Sequence, residues 1–221
     1  MNDDPELAVH EIYRSLQGES TWAGLPFTLV RLTGCPLRCT YCDTTHAYTG
    51  GERLRVSDVR ERVRTLGSSH VLVTGGEPLA QAACPVLLRA LCEDGRTVLL
   101  ETAGSHDVSV VDGRVHLILD LKTPGSGEAA GNLWSNLEHL RADRDELKFV
   151  LTDRADYEWA REQIAARELG RRVRAVLLSP AYGRISYPDL ARWILDDRLP
   201  PPVRFHLQLH KLVWGAEARG V

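Results

Sequence analysis

The chain has 221 residues, with 27 Lys and Arg against 30 Asp and Glu and a formal net charge of −3. That near balance excludes the strongly basic surface of a general nucleic-acid or anionic-membrane binder, and no apolar run approaches the roughly 20 residues that span a bilayer. The length suits one α/β domain over residues 1–221, short of the about 250 residues typical of a full eight-fold (β/α) barrel but sufficient for an incomplete one.

The acidic opening, Met-Asn-Asp-Asp-Pro-Glu, lacks the basic and apolar parts of a secretory leader. A cytoplasmic location is therefore expected, and it suits thiols that must stay reduced. Val9 to Leu16 alternates apolar and polar side chains within an opening strand segment, residues 8–20, until Gln17-Gly18-Glu19 breaks the pattern. Phe27 to Leu32 reads as the first strand of the main sheet, and it delivers the chain to a loop over residues 33–46.

That loop carries Cys35, Cys39 and Cys42, three of the five cysteines, as C-x3-C-x2-C. Thiolates so closely spaced suit a metal centre better than two disulfides. Two centres fit the spacing. One is a closed zinc knot with His46 as fourth ligand, which would make the chain a zinc-stabilised binding module. The other is an iron–sulfur cubane on three cysteines, with one iron open to an exogenous ligand.

Beyond the loop, Ser57 reads as the N-cap of a helix carrying Val56, Val59, Val63 and Leu66, stopped by Gly67. His70 to Val73 is a short strand running into Thr74-Gly75-Gly76-Glu77-Pro78, where paired glycines let a ligand approach the backbone and Glu77 offers a carboxylate to an ammonium group. A helix follows from Leu79 to Glu93, carrying Cys84 and Cys92 as small buried hydrophobes. Strands are expected at Thr97 to Leu100, capped by Glu101-Thr102, and at Val115 to Leu119, ending at Asp120-Leu121-Lys122.

Residues 123–131, rich in glycine and small side chains, read as a flexible loop. Then come a short helix near Leu133 to Leu140, a strand Glu146 to Leu151, a helix from Asp153 to Leu169, a strand Val173 to Leu178, a helix Tyr187 to Asp196 and a last strand Arg204 to Leu209. Strand and helix alternate as in βαβ units, which predicts a parallel sheet with its polar strand ends on one face.

The cysteine array, with Tyr41 before its third thiol, resembles the cluster loop of the radical S-adenosylmethionine (SAM) enzymes. Glu11-Ile12-Tyr13-Arg14-Ser15-Leu16-Gln17-Gly18-Glu19 and Cys42-Asp43-Thr44 resemble the opening segment and loop end of the 7-carboxy-7-deazaguanine synthases. Thr74 to Pro78 is similar to the second radical-SAM motif, and Leu207-Gln208-Leu209-His210-Lys211 to the family's C-terminal signature.

The resemblance implies a partial (β/α) barrel of the radical SAM type. It also implies conversion of 6-carboxy-5,6,7,8-tetrahydropterin to 7-carboxy-7-deazaguanine with loss of ammonia, a step toward queuosine and other 7-deazapurines. A [4Fe-4S] cluster would sit on Cys35, Cys39 and Cys42. SAM would lie near Tyr41, Cys42, Asp43, Gly76, Glu77, Asp120, Leu121, Lys122 and Gln208, although many members carry Ser-Pro-Lys where this chain has Asp120-Leu121-Lys122. Leu16, Gln17, Gly18, Glu19, Arg31, Thr74 and His210 would hold the pterin, and Thr44 would support Mg²⁺. The implied partners are this small molecule, an electron donor such as flavodoxin or ferredoxin, and a second copy in a homodimer. A glycyl-radical activating enzyme shares the three-cysteine loop but acts on a protein and lacks the Leu-Gln-Gly-Glu and Cys-Asp-Thr matches.

Overall fold

The computed structural model describes residues 4–221; Met1 to Asp3 of the acidic opening lie outside the described residues. Nine strands form one sheet: β1 (Glu6–Leu16), β2 (Pro26–Leu32), β3 (Glu52–Arg55), β4 (His70–Gly75), β5 (Thr97–Thr102), β6 (His116–Asp120), β7 (Glu146–Leu151), β8 (Ala175–Pro180) and β9 (Val203–Phe205). Their order is β3-β1-β2-β4-β5-β6-β7-β8-β9, so the sheet does not close. From β2 onward every neighbouring pair is parallel. Only β1 runs antiparallel, to both β2 and β3. This is the expected partial barrel with a hairpin on one edge.

The helices are α1 (Val56–Leu66), α2 (Cys84–Glu93), α3 (Arg154–Ala166), α4 (Tyr187–Asp196) and α5 (Leu209–Trp214). Ser57 is not the N-cap of α1. Its N–H and hydroxyl both donate to the Asp4 carboxylate, at 3.0 and 2.6 Å, so an acid from outside the helix covers a donor of the first turn. Gly67 does close the helix, in the left-handed conformation that favours glycine. The helix expected from Asp153 to Leu169 runs from Arg154 to Ala166, with Asp153 as its N-cap accepting from Asp156 N at 2.9 Å. The helix expected from Leu79 instead starts at Cys84, after a 3-10 turn at Pro78–Ala80.

Residues 123–131, expected to be flexible, fold into two 3-10 turns at Pro124–Ser126 and Ala129–Gly131. Asp156 holds the first, accepting from Thr123 Oγ1 at 2.9 Å and Gly125 N at 2.7 Å. Small residues here permit close packing, and the buried carboxylate supplies the order. The last expected strand is also shortened. After β9 the chain leaves the sheet, because Leu209 N donates to Gly18 O (2.7 Å) and Ser20 N donates to His206 Nε2 (2.9 Å). The β1–β2 loop thus bridges the open side of the barrel to the segment after β9.

Most of the apolar core lies between the sheet and its helices, with Val59, Val63, Leu87, Leu91, Tyr157 and Leu190 against the outer face of the strands. Inside, alternate residues point to the barrel axis. Phe27, Leu29, Leu72, Leu99 and Ile118 form a small apolar floor, backed by Tyr13 and Trp22. Trp22 packs edge-on to Phe27 and His116, with centroids 6.2 and 5.1 Å apart. Each such buried side chain stabilises the fold by roughly 1.5–3 kcal/mol. Above this floor the inward positions turn polar at the C-terminal ends of the strands, the end where barrels build their sites.

Candidate functional site

A cavity of about 500 Å³ opens above the floor, and the cysteine loop forms one wall of it. All three loop thiols line it. A turn closed by Cys42 N donating to Cys39 O (3.1 Å) presents two of them. Burial pushes the Cys39 thiol up to about 11, so metal binding there must expel protons. No three His, Cys, Asp or Glu side chains among the described residues converge tightly enough to hold a single ion. The His46 ring packs against His10, with centroids 5.1 Å apart and planes tilted by 57°, and its Nε2 lies 3.9 Å from Glu11. That arrangement does not make a closed zinc knot. Three thiols sharing one cavity wall fit a cubane, in which each sulfur binds a different iron.

Beneath the loop, the Thr74-Gly75-Gly76-Glu77 turn locks onto the end of β2. Gly76 N donates to Leu32 O at 3.2 Å and Glu77 N to Gly34 O at 2.8 Å. A Cβ on Gly76 would strike the Gly34 carbonyl and come within 2.7 Å of Cys35 Cβ, so only glycine permits this contact. Glu77 departs from the sequence expectation. Its carboxylate is fully buried and faces away from the cavity. It accepts from Leu79 N (2.9 Å), Thr102 Oγ1 (2.8 Å) and Ala103 N (2.7 Å). With three donors already on its carboxylate, Glu77 braces the turn in this fold.

Leu121 departs as well, because its side chain is fully buried in the main core and does not line the cavity. Its neighbours do line it. Lys122 Nζ lies 3.1 Å from Asp120 and 5.9 Å from the Tyr41 ring centre. The Tyr41 hydroxyl and Asp120 Oδ1 are buried without a partner. Asp43 pairs with Lys211 at 2.5 Å and accepts from Gln208 Nε2 at 3.2 Å. Burial opposes its charge, yet Lys211 keeps its carboxyl below the usual range. Thr44 Oγ1 donates to Asp43 Oδ1 at 3.0 Å, which leaves its oxygen lone pairs aimed elsewhere.

Opposite the thiols stand the residues expected at the pterin. Gln17 is buried, its Oε1 accepting from Glu19 N at 3.3 Å while its Nε2 has no partner. Glu19 accepts from Lys148 Nζ at 2.6 Å and Gln208 Nε2 at 2.8 Å. Burial works against the Glu19 anion, but the Lys148 ammonium overrides it and holds the carboxyl far below its ordinary value. The His210 side chain packs against Gly18, where any Cβ would collide with it. His210 therefore stands at the start of α5, not at the end of a strand. Arg31 reaches the cavity from β2, with Nε donating to Glu11 at 2.6 Å.

Lys148 and Glu101 are among the cavity residues that escaped sequence reasoning. Lys148 is the inward-facing charge of an apolar strand, a pattern that Arg31 shares, although the resemblance and not this pattern marked Arg31. Glu101 looked only like the end of β5, yet it lines the cavity, accepts weakly from Thr74 Oγ1 at 3.4 Å and has one oxygen without a partner. Burial pushes its carboxyl up to about 7, opposed by Lys148 and reinforced by Glu19.

The folded protein therefore holds the Glu101 proton more tightly than the unfolded chain does, and stability falls as pH rises from about 4.5 through about 7. Glu101→Gln, which cannot ionise, is expected to be more stable than the parent at pH 8 by up to about 3 kcal/mol, with no gain at pH 4. Urea midpoints at the two pH values measure this. Equal midpoints at pH 8 would show that the Glu101 anion is fully compensated.

The model of the radical SAM superfamily matches residues 29–123. The chain is 43% identical over 223 residues to the 7-carboxy-7-deazaguanine synthase of Chlorobaculum tepidum, with 100% of both chains covered. It is 39% identical over 229 residues to that of Koribacter versatilis, covering 97% of this chain and 100% of the relative. Among solved structures it is similar to QueE from Escherichia coli, with a TM-score of 0.74 and 24% identity over 93% of this chain and 95% of that one, a likeness of fold.

Proposed function

The chain belongs to the 7-carboxy-7-deazaguanine synthases of the radical SAM superfamily, and from that premise we propose that its cavity contracts 6-carboxy-5,6,7,8-tetrahydropterin to 7-carboxy-7-deazaguanine with loss of ammonia. One observation carries the reading of the site: a single cavity joins three loop thiols to an opposite wall of Gln17, Glu19 and Arg31. Cys35, Cys39 and Cys42 would hold the cluster, which would supply the electron for reductive cleavage of SAM. The protein binds, orients and excludes water. The partnerless Gln17 Nε2 and the fixed Glu19 carboxylate match the donor and acceptor edge of a pterin, and the free side of the Arg31 fork matches its carboxylate. On the SAM side, Tyr41, Asp43, Gly76, Asp120, Lys122 and Gln208 face the cavity.

We place Mg²⁺ beside Thr44, whose hydroxyl donates its proton to Asp43 and so presents its oxygen to a cation; Mg²⁺ keeps several waters and needs few protein ligands. Flavodoxin or ferredoxin is the class of electron donor proposed, and a homodimer the assembly. A cytoplasmic setting suits the five free thiols, and no helix among the described residues is long and apolar enough to cross a membrane. The test is anaerobic reconstitution, incubation with SAM, dithionite, Mg²⁺ and the carboxylated pterin, and mass analysis for the deazapurine. Thr44→Val is expected to raise the Mg²⁺ concentration needed for half-maximal turnover by about tenfold, the loss of one oxygen ligand. An unchanged Mg²⁺ requirement would remove Thr44 from the metal site.

A further inference from the structure

His46 remains unused once the thiols are assigned to a cluster. Its Nε2 is sealed from solvent without a hydrogen-bond partner, although the ring borders the cavity. A buried unsatisfied ring nitrogen is costly, so a partner is to be sought. The Glu11 carboxylate does not serve. It lies 3.9 Å from Nε2, beyond hydrogen-bond range, and Arg31 Nε already occupies it at 2.6 Å. The tilted His10 ring gives the His46 ring a wall, 5.1 Å between centroids, but the Nδ1 of His10 is also without a partner.

The same cluster shows what is missing. Arg31 spends Nε on Glu11 and directs Nη2 to the Tyr13 hydroxyl at 3.4 Å, which leaves three of its five N–H groups for a ligand. His46 stands on the 3-10 turn that begins just after Thr44, so a guanidinium, an imidazole ring and a hydroxyl-bearing residue border the same cavity. These groups want an acceptor with more than one lone-pair direction.

We propose that His46 is a specificity-determining residue that donates from Nε2 to the 6-carboxylate of the pterin, beside the Arg31 fork. This rests on the substrate reading above. A carboxylate in that place recruits the tautomer with the proton on Nε2, and the His10 ring behind keeps the imidazole aimed at it. Glu11 then has a second use. By holding Arg31 at Nε it turns the guanidinium end toward the ligand, and by its own charge it rejects a carboxylate that approaches anywhere but between Arg31 and His46.

The experiment uses reconstituted, SAM-loaded protein and two probes, the carboxylated tetrahydropterin and the same ring without its 6-carboxylate. His46→Phe, which keeps the aromatic packing and loses the donor, is expected to weaken binding of the carboxylated probe about tenfold, the scale of a hydrogen bond to a charged group, and to leave binding of the other probe unchanged. His46→Gln restores a nitrogen donor at similar reach and is expected to recover most of the lost affinity. Equal losses for both probes, or a glutamine variant no better than phenylalanine, overturn the proposal by showing that the ring only packs. A parent protein with no preference for the carboxylated probe overturns the substrate assignment itself, and the inference falls with it.

Discussion

Replacing Cys39 with alanine is expected to give a protein that folds, binds no intact cluster and forms no 5′-deoxyadenosine from SAM and dithionite. The three loop thiols are the only cysteines on the cavity wall, so no nearby sulfur can substitute. Cys84 lies fully buried on α2 among the residues between helix and sheet, and burial pushes its thiol well above the usual range, so it behaves as an inert apolar group. Cys84→Ala should therefore cost about 1 kcal/mol or less in packing and leave iron content and turnover near those of the parent. Iron and sulfide per chain, together with 5′-deoxyadenosine yield, measure both variants. The reverse pattern, with Cys39→Ala active and Cys84→Ala empty of iron, would mean that the metal centre lies elsewhere.

Much of this site is legible before folding because its chemistry is local in the chain. Cys35, Cys39 and Cys42 fall within eight residues, and Gly75-Gly76 announces a close approach wherever it sits. What the sequence hides is direction. Nothing in Thr74-Gly-Gly-Glu tells that the Glu77 carboxylate points inward to Thr102 and Ala103, because those partners lie 25 and 26 residues away. Leu121 reads as a site residue only because its neighbours are, while strand alternation sends its side chain to the opposite face. Lys148 and Glu101 were visible as charges on apolar strands, but period-two alternation alone does not say which face carries the cavity. The shortness of β9 depends on the β1–β2 loop crossing to Leu209, a contact between residues 191 positions apart in Gly18 and Leu209.

Lys148→Met tests the electrostatic centre of the cavity, and its effect on folding should be among the largest of any single substitution. Lys148 is about 8% exposed and lies 2.6 Å from Glu19 and 3.4 Å from Asp120. Asp120 would keep Lys122, at 3.1 Å, but Glu19 would keep only the Gln208 amide at 2.8 Å. Breaking a buried pair by removing one partner costs about 3–5 kcal/mol, because a charge is left uncompensated.

The pH dependence identifies the cause. In the parent, the depressed Glu19 carboxyl contributes stability that is present above the unfolded carboxylate pKa and is lost as pH falls through the folded value. The raised Lys148 pKa contributes stability that is fully present below the unfolded lysine pKa and lost only as pH rises through the folded value, so it stays constant between pH 5 and 8. Without the ammonium, burial of Glu19 is opposed only by the weaker effects of His206, His210 and the Gln208 amide, and its carboxyl should rise. The variant's deficit is then expected to be largest at pH 8 and to shrink toward pH 5, where a protonated Glu19 tolerates its surroundings.

Adding Glu19→Gln to Lys148→Met removes the stranded charge, and the double variant should be more stable than Lys148→Met alone even though two polar groups are altered. Both variants should lose pterin binding, since the acceptor that reads the ring is displaced or gone. Urea unfolding at the two pH values, with a pterin titration at pH 8, separates these effects. A Lys148→Met deficit that is small and equal at both pH values would show that Glu19 is solvated without its lysine, and that the cavity is wetter than its walls imply.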